Sequence, residues 1–107
     1  MKHILLLEDL PEIRAWIKAL VLQVFPQASI SEAAHVHDAL ELVSAVRFEL
    51  ALIDLGLPDG SGVDVVAALR ESQADAQSVV VTIHDDDEHL FPALQAGAFG
   101  YVLKEQP

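Results

Sequence analysis

The hydrophobic residues of this chain follow two alternating patterns. In the first pattern, short apolar runs end abruptly at polar residues, as is typical of strands buried on both faces of a parallel sheet. The runs lie at residues 4–7, 50–53, 78–82 and 99–103. A fifth, more polar run at residues 28–33 predicts a strand at a sheet edge. The sequence therefore predicts five strands.

In the second pattern, apolar residues recur every three or four positions between these runs, which predicts amphipathic helices. Four helices are expected at about residues 11–25, 35–46, 65–72 and 88–96. Pro11 suits the first turn of the first helix, because its missing N–H group needs no partner there. Trp16 lies on the apolar stripe of that helix, so it is predicted to be a core residue. Pro26 and Gly97 are predicted to end the first and fourth helices.

Strands that alternate with helices predict an α/β fold, a parallel sheet with helices on both faces. The length of 107 residues suits a single domain. If the crossovers are right-handed, the first helix covers one face and the other three cover the opposite face. The last two strands are then uncovered on the first face. We therefore expect the native chain to continue beyond Pro107 into an amphipathic helix, and the isolated piece to be poorly stable or to cover this face by forming a homodimer or by domain swapping.

Four of the strands end in side chains that carry chemistry. These side chains are Glu8 and Asp9, Asp54, Thr82 and Lys104. The carboxyl ends of parallel strands share one edge of the sheet, where open α/β sheets bind ligands. Three clustered carboxylates repel one another unless a cation lies between them, and hard oxygen ligands favour Mg²⁺. A carboxylate can also attack phosphorus, while a lysine and a hydroxyl bind the phosphoryl oxygens.

Composition restricts the remaining function classes. The net charge of −11 disfavours direct nucleic acid binding by these residues. Cysteine is absent, so neither a disulfide framework nor a thiolate metal site is expected. The apolar runs are too short for a membrane span, and a cytoplasmic location is the simplest expectation.

These residues resemble the receiver domain of bacterial two-component response regulators. The resemblance spans nearly the whole chain and includes Glu8-Asp9, the loop at residues 54–62, Thr82 and residues 96–104. The sequences of this loop and of residues 96–104 most resemble those of regulators with a LuxR-type helix-turn-helix output domain. The resemblance implies a flavodoxin-like, doubly wound sheet of strand order 2-1-3-4-5. It also implies that residues 1–107 are a receiver domain truncated after its fifth strand, without the fifth helix.

The resemblance further implies a role for each site residue. Asp54 would be the phosphoacceptor, and a histidine kinase would be the phosphoryl donor. Mg²⁺ would be held by Glu8, Asp9, Asp54 and the backbone carbonyl of Gly56. Phosphoryl contacts would come from Thr82 and Lys104, and Thr82 would act with Tyr101 as the switch.

This sequence departs from the family pattern at two further points. Ile83 stands where many relatives have a small residue, and it would hinder the water that hydrolyses the aspartyl phosphate. Pro92 falls inside the fourth predicted helix, so that helix would start late or kink. His84 is a neighbour that could modulate the site, although a surface histidine is the better interpretation. The acidic residues 85–88 are interpreted as a solvated helix start.

Three functions remain open from the sequence. The favoured one is a phosphorylation switch, not an enzyme, that controls an absent DNA-binding output domain. The second is a stand-alone receiver in a phosphorelay or in protein docking. The third is a phosphatase with an aspartate nucleophile, which is disfavoured because Gly56 stands where such enzymes place a second aspartate.

Overall fold

The structure is a computed structural model that describes residues 2–82 and 87–103. The strands are β1 (His3–Leu7), β2 (Ser29–Ala33), β3 (Leu50–Ile53), β4 (Gly56–Leu57), β5 (Gly60–Ser61), β6 (Gln77–Thr82) and β7 (Gly100–Leu103). The helices are α1 (Pro11–Val24), α2 (Val36–Ala45), α3 (Gly62–Ser72) and α4 (Asp87–Ala96). Each predicted strand and helix is present, with bounds within a few residues of the sequence expectation.

Five of the strands form one parallel sheet in the order β2-β1-β3-β6-β7. Counted without the two short strands β4 and β5, this is the predicted order 2-1-3-4-5. The polar strand β2 lies at the sheet edge, as its sequence predicts. The flavodoxin-like doubly wound fold is therefore confirmed.

The two faces of the sheet are covered unequally. One face packs against α2 and α3 in a buried core, whose residues include Leu5, Leu7, Ala39, Val43, Ala51, Ile53, Val65, Val66 and Leu69. Helix α4 packs beside α3, and Ala93 of α4 is buried with Leu55 and Val80. On the opposite face α1 borders an apolar groove that also exposes Leu52, Val79, Val81 and Val102. Three helices thus share one face of the sheet, as right-handed crossovers require.

The prediction that Trp16 is a core residue is wrong. Its side chain is 36% exposed, and its neighbours on the apolar stripe of α1, Leu20 and Val24, are 43% and 68% exposed. The reason is that α1 is the only described helix bordering this face, and its apolar stripe faces an open groove rather than a second helix.

The loop after β3 also differs in detail from the sequence expectation, which was a loop without strands. It contains a small antiparallel hairpin in which Gly56 pairs with Ser61 and Leu57 pairs with Gly60. Two residues per strand are too few for a recognisable alternation of apolar and polar positions, so the pattern could not predict it.

Helix α4 runs from Asp87 through Pro92 to Ala96. It ends in a Schellman motif, in which Ala98 N–H bonds to the Ala93 carbonyl and Gly97 N–H bonds to the Leu94 carbonyl. Gly97 has a φ of +118°, a conformation that favours glycine. The prediction that Gly97 closes this helix is therefore confirmed.

Gln73 joins three segments at the end of the sheet opposite the predicted site. Its side-chain oxygen accepts a hydrogen bond from Phe48 N–H at 2.7 Å. Its side-chain nitrogen donates to the carbonyls of Val43 at 2.8 Å and Val46 at 2.7 Å. Gln73 is 6% exposed, so one buried amide satisfies three backbone groups between α2 and β3.

Candidate functional site

The register of the sheet brings the ends of β1 and β3 together. Leu7 pairs with Ile53, and Asp54, the residue directly after β3, donates its N–H to the Leu7 carbonyl at 3.0 Å. On the other side of β1, Glu8 donates its N–H to the Ala33 carbonyl at 3.0 Å. The backbones of Glu8 and Asp54 are therefore fixed by the sheet itself.

Three carboxylates meet at this edge. Glu8, Asp9 and Asp54 each offer an oxygen atom, and these atoms all lie within 4.8 Å of one another. Glu8 is 1% exposed and Asp54 is 7% exposed, so water screens their mutual repulsion poorly. Oxygen-only donors at this spacing fit a hard divalent cation such as Mg²⁺. The structure thus brings together three of the residues that the sequence predicts as metal ligands.

Glu8 is held in place by contacts from α1 and its leading turn. Its Oε2 atom accepts a hydrogen bond from Leu10 N–H at 3.2 Å. Its backbone carbonyl accepts one from Arg14 Nη1 at 2.8 Å. Arg14 also pairs with Glu32 at 3.3 Å, as does Lys18 at 3.1 Å. Sequence reasoning missed Arg14, because an arginine in the first turns of an amphipathic helix is usually a solvated residue.

Asp54 is held by the residues that follow it. Its Oδ1 atom accepts a hydrogen bond from Leu55 N–H at 2.9 Å. The Leu55 carbonyl in turn accepts one from Gly62 N–H at 3.0 Å, which closes the loop at the start of α3. Ser61 caps α3 by accepting a hydrogen bond from Val63 N–H at 3.1 Å. The loop that follows the predicted phosphoacceptor is therefore held closed by a hydrogen bond between its two ends.

The loop is also attached to α2 by a residue that the sequence did not single out. Asp59, between β4 and β5, accepts hydrogen bonds from the backbone N–H groups of Val36 at 2.8 Å and His37 at 3.0 Å. The bonds from His37 and Val36 lower the pKa of the Asp59 carboxyl below its usual value. The sequence signal for this contact is indirect: His35, at the N-cap of α2, is not a capping residue type, but nothing in the pattern identifies Asp59 as the acceptor that takes its place.

The other predicted site residues are described only in part. The backbone of Thr82 ends β6 and pairs with Leu103 at the end of β7, so both strands reach the same edge as Asp54. Tyr101 pairs with Val80 and is 48% exposed. Lys104, Ile83 and His84 lie outside the described residues. Their predicted roles remain predictions.

A second group of possible metal ligands lies on α2. His37, Asp38 and Glu41 offer donor atoms within 4.8 Å of one another, and all three are exposed. The spacing of the histidines along the sequence predicts no metal site here. These residues make helix-surface pairs, His37 with Glu41 at 3.4 Å within the group and Asp38 with the neighbouring His35 at 3.5 Å. We interpret the group as a solvated helix face.

Comparison with known proteins settles the family. The sequence model of the response regulator receiver domain matches residues 4–107. The chain belongs to the response regulator receiver domain family. In the part of this receiver domain that the structure describes, no helix has both the length and the apolar character needed to cross a bilayer.

Relatives and solved structures agree with this assignment. The receiver domain is 31% identical to the nitrate/nitrite response regulator protein NarL of Escherichia coli strain K12 over 102 residues, which are 95% of this chain and 47% of NarL. A Burkholderia pseudomallei response regulator protein, with a phosphorylated aspartic acid, calcium ion and citrate, matches with a TM-score of 0.85 and 29% identity. That match covers 100% of this chain and 62% of the other.

A third match bears on the subfamily. A two-component response regulator of the LuxR family from Aurantimonas sp. SI85-9A1 has a TM-score of 0.86 and 27% identity, and the match covers 99% of this chain and 76% of the other. The predicted resemblance to LuxR-type regulators is confirmed. The receiver domain spans about half the length of the curated relative NarL.

Proposed function

We propose that this receiver domain is a phosphorylation-activated switch of a two-component system, with Asp54 as the phosphoacceptor. The observation that carries the proposal is the meeting of Glu8, Asp9 and Asp54 at the carboxyl edge of the sheet. Asp54 is the one of the three that follows β3 directly and leads into the closed loop at residues 55–62. The phosphorylated aspartate of the Burkholderia regulator supports the same chemistry.

The proposed reaction is a phosphoryl transfer from a histidine kinase. A carboxylate oxygen of Asp54 attacks phosphorus, the phosphorus–nitrogen bond of the phosphohistidine breaks, and an aspartyl phosphate forms. The leaving imidazole nitrogen keeps the bonding electron pair and takes up a proton. Hydrolysis later restores Asp54, so the receiver domain catalyses only its own phosphorylation and dephosphorylation.

Mg²⁺ is the proposed cofactor, held by the carboxylates of Glu8, Asp9 and Asp54 and by the backbone carbonyl of Gly56. When bound, it would neutralise charge on the phosphoryl oxygens. Arg14 and Leu10 keep Glu8 oriented toward this position through the contacts described above. The calcium ion in the Burkholderia structure is consistent with a site for a hard divalent cation.

The proposal assigns the remaining predicted residues as follows. Lys104 and the Thr82 hydroxyl would bind the phosphoryl oxygens, since a positive charge and a hydrogen-bond donor are what such an anion needs. Ile83 would slow hydrolysis of the aspartyl phosphate by hindering the attacking water, and His84 would modulate the site from its rim.

The output of the switch is proposed to be a DNA-binding domain outside these 107 residues. The length of NarL and the LuxR-family match support this output, and the acidic charge of the receiver domain disfavours DNA binding by its own surface. A phosphatase function is disfavoured, since Gly56 offers no acid group two residues after Asp54.

Intact-mass measurement after incubation with acetyl phosphate and Mg²⁺ tests the phosphoacceptor. The wild-type chain should gain one phosphoryl group, and Asp54→Asn should gain none. Asp64→Asn is the matched control, because Asp64 is an exposed aspartate on α3, and it should be labelled like the wild type. Equal labelling of wild type and Asp54→Asn would contradict the assignment.

A further inference from the structure

Asp59 connects the loop after the phosphoacceptor to a different helix. Its carboxylate accepts hydrogen bonds from the first two N–H groups of α2, those of Val36 and His37. Free N–H groups at a helix start need an acceptor, and the N-cap residue of α2, His35, provides no side-chain bond. An aspartate 22 residues away from His37 therefore serves as the cap of α2.

Two further contacts pack the same hairpin against the start of α2 and the buried core. A Cβ carbon at Gly60 would lie 3.6 Å from Val36 Cγ2, so the hairpin passes within van der Waals distance of the start of α2. Leu57 packs against the buried core that contains Val36 and Val65. The tip of the hairpin is thus attached at Asp59 while its body rests on the core.

The position of the hairpin determines the position of the Gly56 carbonyl. Gly56 pairs with Ser61 and Leu57 pairs with Gly60, so Asp59 lies at the turn that joins these paired residues. The base of the hairpin is fixed separately, by the bond from Gly62 N–H to the Leu55 carbonyl. A change at the tip is therefore expected to turn the hairpin about this fixed base, and the Gly56 carbonyl beside the base then changes its direction.

We propose that Asp59 is a positioning residue for the cation site: by holding the hairpin on α2 it fixes the Gly56 carbonyl relative to Asp54. This inference rests on the proposed function, in which Gly56 contributes its carbonyl to the cation. The proposed role of Asp59 differs from a purely structural one, because a residue that only capped α2 would stabilise the helix without changing the affinity for the cation.

Calorimetric titration with Mg²⁺ alone, combined with thermal melts without the cation, tests the proposal. Asp59→Ala should weaken Mg²⁺ binding about tenfold, the lower end of what loss of an outer-shell partner costs. Asp38→Ala is the matched control: Asp38 also lies in the first turn of α2 and pairs with His35, but in the described part of the chain no hydrogen bond or ion pair joins it to the hairpin. Its Mg²⁺ affinity should equal that of the wild type.

A double variant separates capping from positioning. His35→Asp in the Asp59→Ala background supplies α2 with a cap of its own, so the melting temperature should recover while Mg²⁺ binding stays weak. Unchanged affinity in Asp59→Ala, or affinity that recovers together with stability, would overturn the inference and leave the proposed function intact. A wild-type chain that binds no Mg²⁺, or an Asp54→Asn variant that binds it equally well, would overturn both.

Discussion

Gly62 lies so close to Asp54 that a Cβ carbon at Gly62 would overlap the Asp54 carbonyl oxygen. The same Cβ carbon would lie 2.6 Å from Ile53 Cγ2. The two neighbours are the last residue of β3 and the residue after it, and both are buried: Ile53 fully, and Asp54 with 7% exposure. The start of α3 can therefore approach the end of β3 and the proposed phosphoacceptor only because residue 62 has no side chain.

Gly62→Ala should consequently destabilise the domain. Either α3 or the end of β3 must move, and overpacking of this kind costs about 1–3 kcal/mol. Because the atom that this Cβ carbon would overlap is the carbonyl oxygen of Asp54, phosphorylation by acetyl phosphate should also slow. Urea unfolding and intact-mass kinetics measure the two effects. Gly100→Ala is the control, since a Cβ carbon there meets nothing within 4 Å, and it should leave both unchanged.

A second prediction concerns Gln73. Gln73→Met keeps the approximate shape of the side chain but leaves Phe48 N–H and the carbonyls of Val43 and Val46 without their partner. A buried unsatisfied group costs about 1–3 kcal/mol, so we expect a loss of at least about 2 kcal/mol in the free energy of unfolding. Gln77→Met, at an exposed position at the start of β6, should change it little. Equal stability of the two variants would show that Gln73 is replaceable.

The five strands of the parallel sheet and the carboxylate cluster were predictable from the sequence because each depends on a local pattern, whereas the strand order was implied by the resemblance to receiver domains. Apolar runs define β1 and β3, and the residue that follows such a run must lie at the sheet edge. Arg14, Asp59 and Gln73 could not be found in this way. Their partners are backbone groups, which every residue has, and the contacts of Asp59 and Gln73 span 22 to 30 residues of chain.

A third prediction is a pH dependence carried by Asp59. The N–H groups of His37 and Val36 lower the pKa of this carboxyl in the folded chain, so its ionised form favours the folded state. This stabilisation is present above the unfolded-state pKa of about 4, and it is lost as the pH falls through the lower folded-state value. The difference in urea midpoint between wild type and Asp59→Asn should therefore be largest near neutral pH and shrink below about pH 4. A difference that stays constant from pH 7 to pH 3 would contradict this.

A fourth prediction concerns the switch. Phosphorylation adds a charge of about −1.5 to −2 and strong acceptor oxygens next to the end of β6. If the Thr82 hydroxyl turns to bind them, the Tyr101 ring, which is now 48% exposed, can move into the vacated space. Chemical shifts of residues 87–103 should then change when beryllofluoride and Mg²⁺ are added, and the same addition to Asp54→Asn should change nothing. Unchanged shifts in the wild type would mean that Tyr101 is only a half-buried strand aromatic.

The last prediction concerns the apolar groove beside α1. Val24 is 68% exposed, Val102 is 54% exposed and Leu20 is 43% exposed, and all three line the groove. Soluble monomers rarely expose a contiguous apolar surface beyond a few hundred Å². A polypeptide of residues 1–107 alone should therefore associate through this face, since burying the face in a dimer removes it from water.

Sedimentation equilibrium of that polypeptide tests the expectation. The wild type should be dimeric, and Leu20→Lys combined with Val24→Lys should be monomeric, because both side chains point into the groove and a buried charge there has no partner. Leu94→Lys is the control: Leu94 is 40% exposed but belongs to α4, which packs beside α3 on the other face, so this variant should remain dimeric. The expectation would be contradicted by a wild type that is monomeric and has the same melting temperature as the double variant. That result would mean that exposure of the groove to water does not destabilise the monomer, and that the α1 face needs no partner.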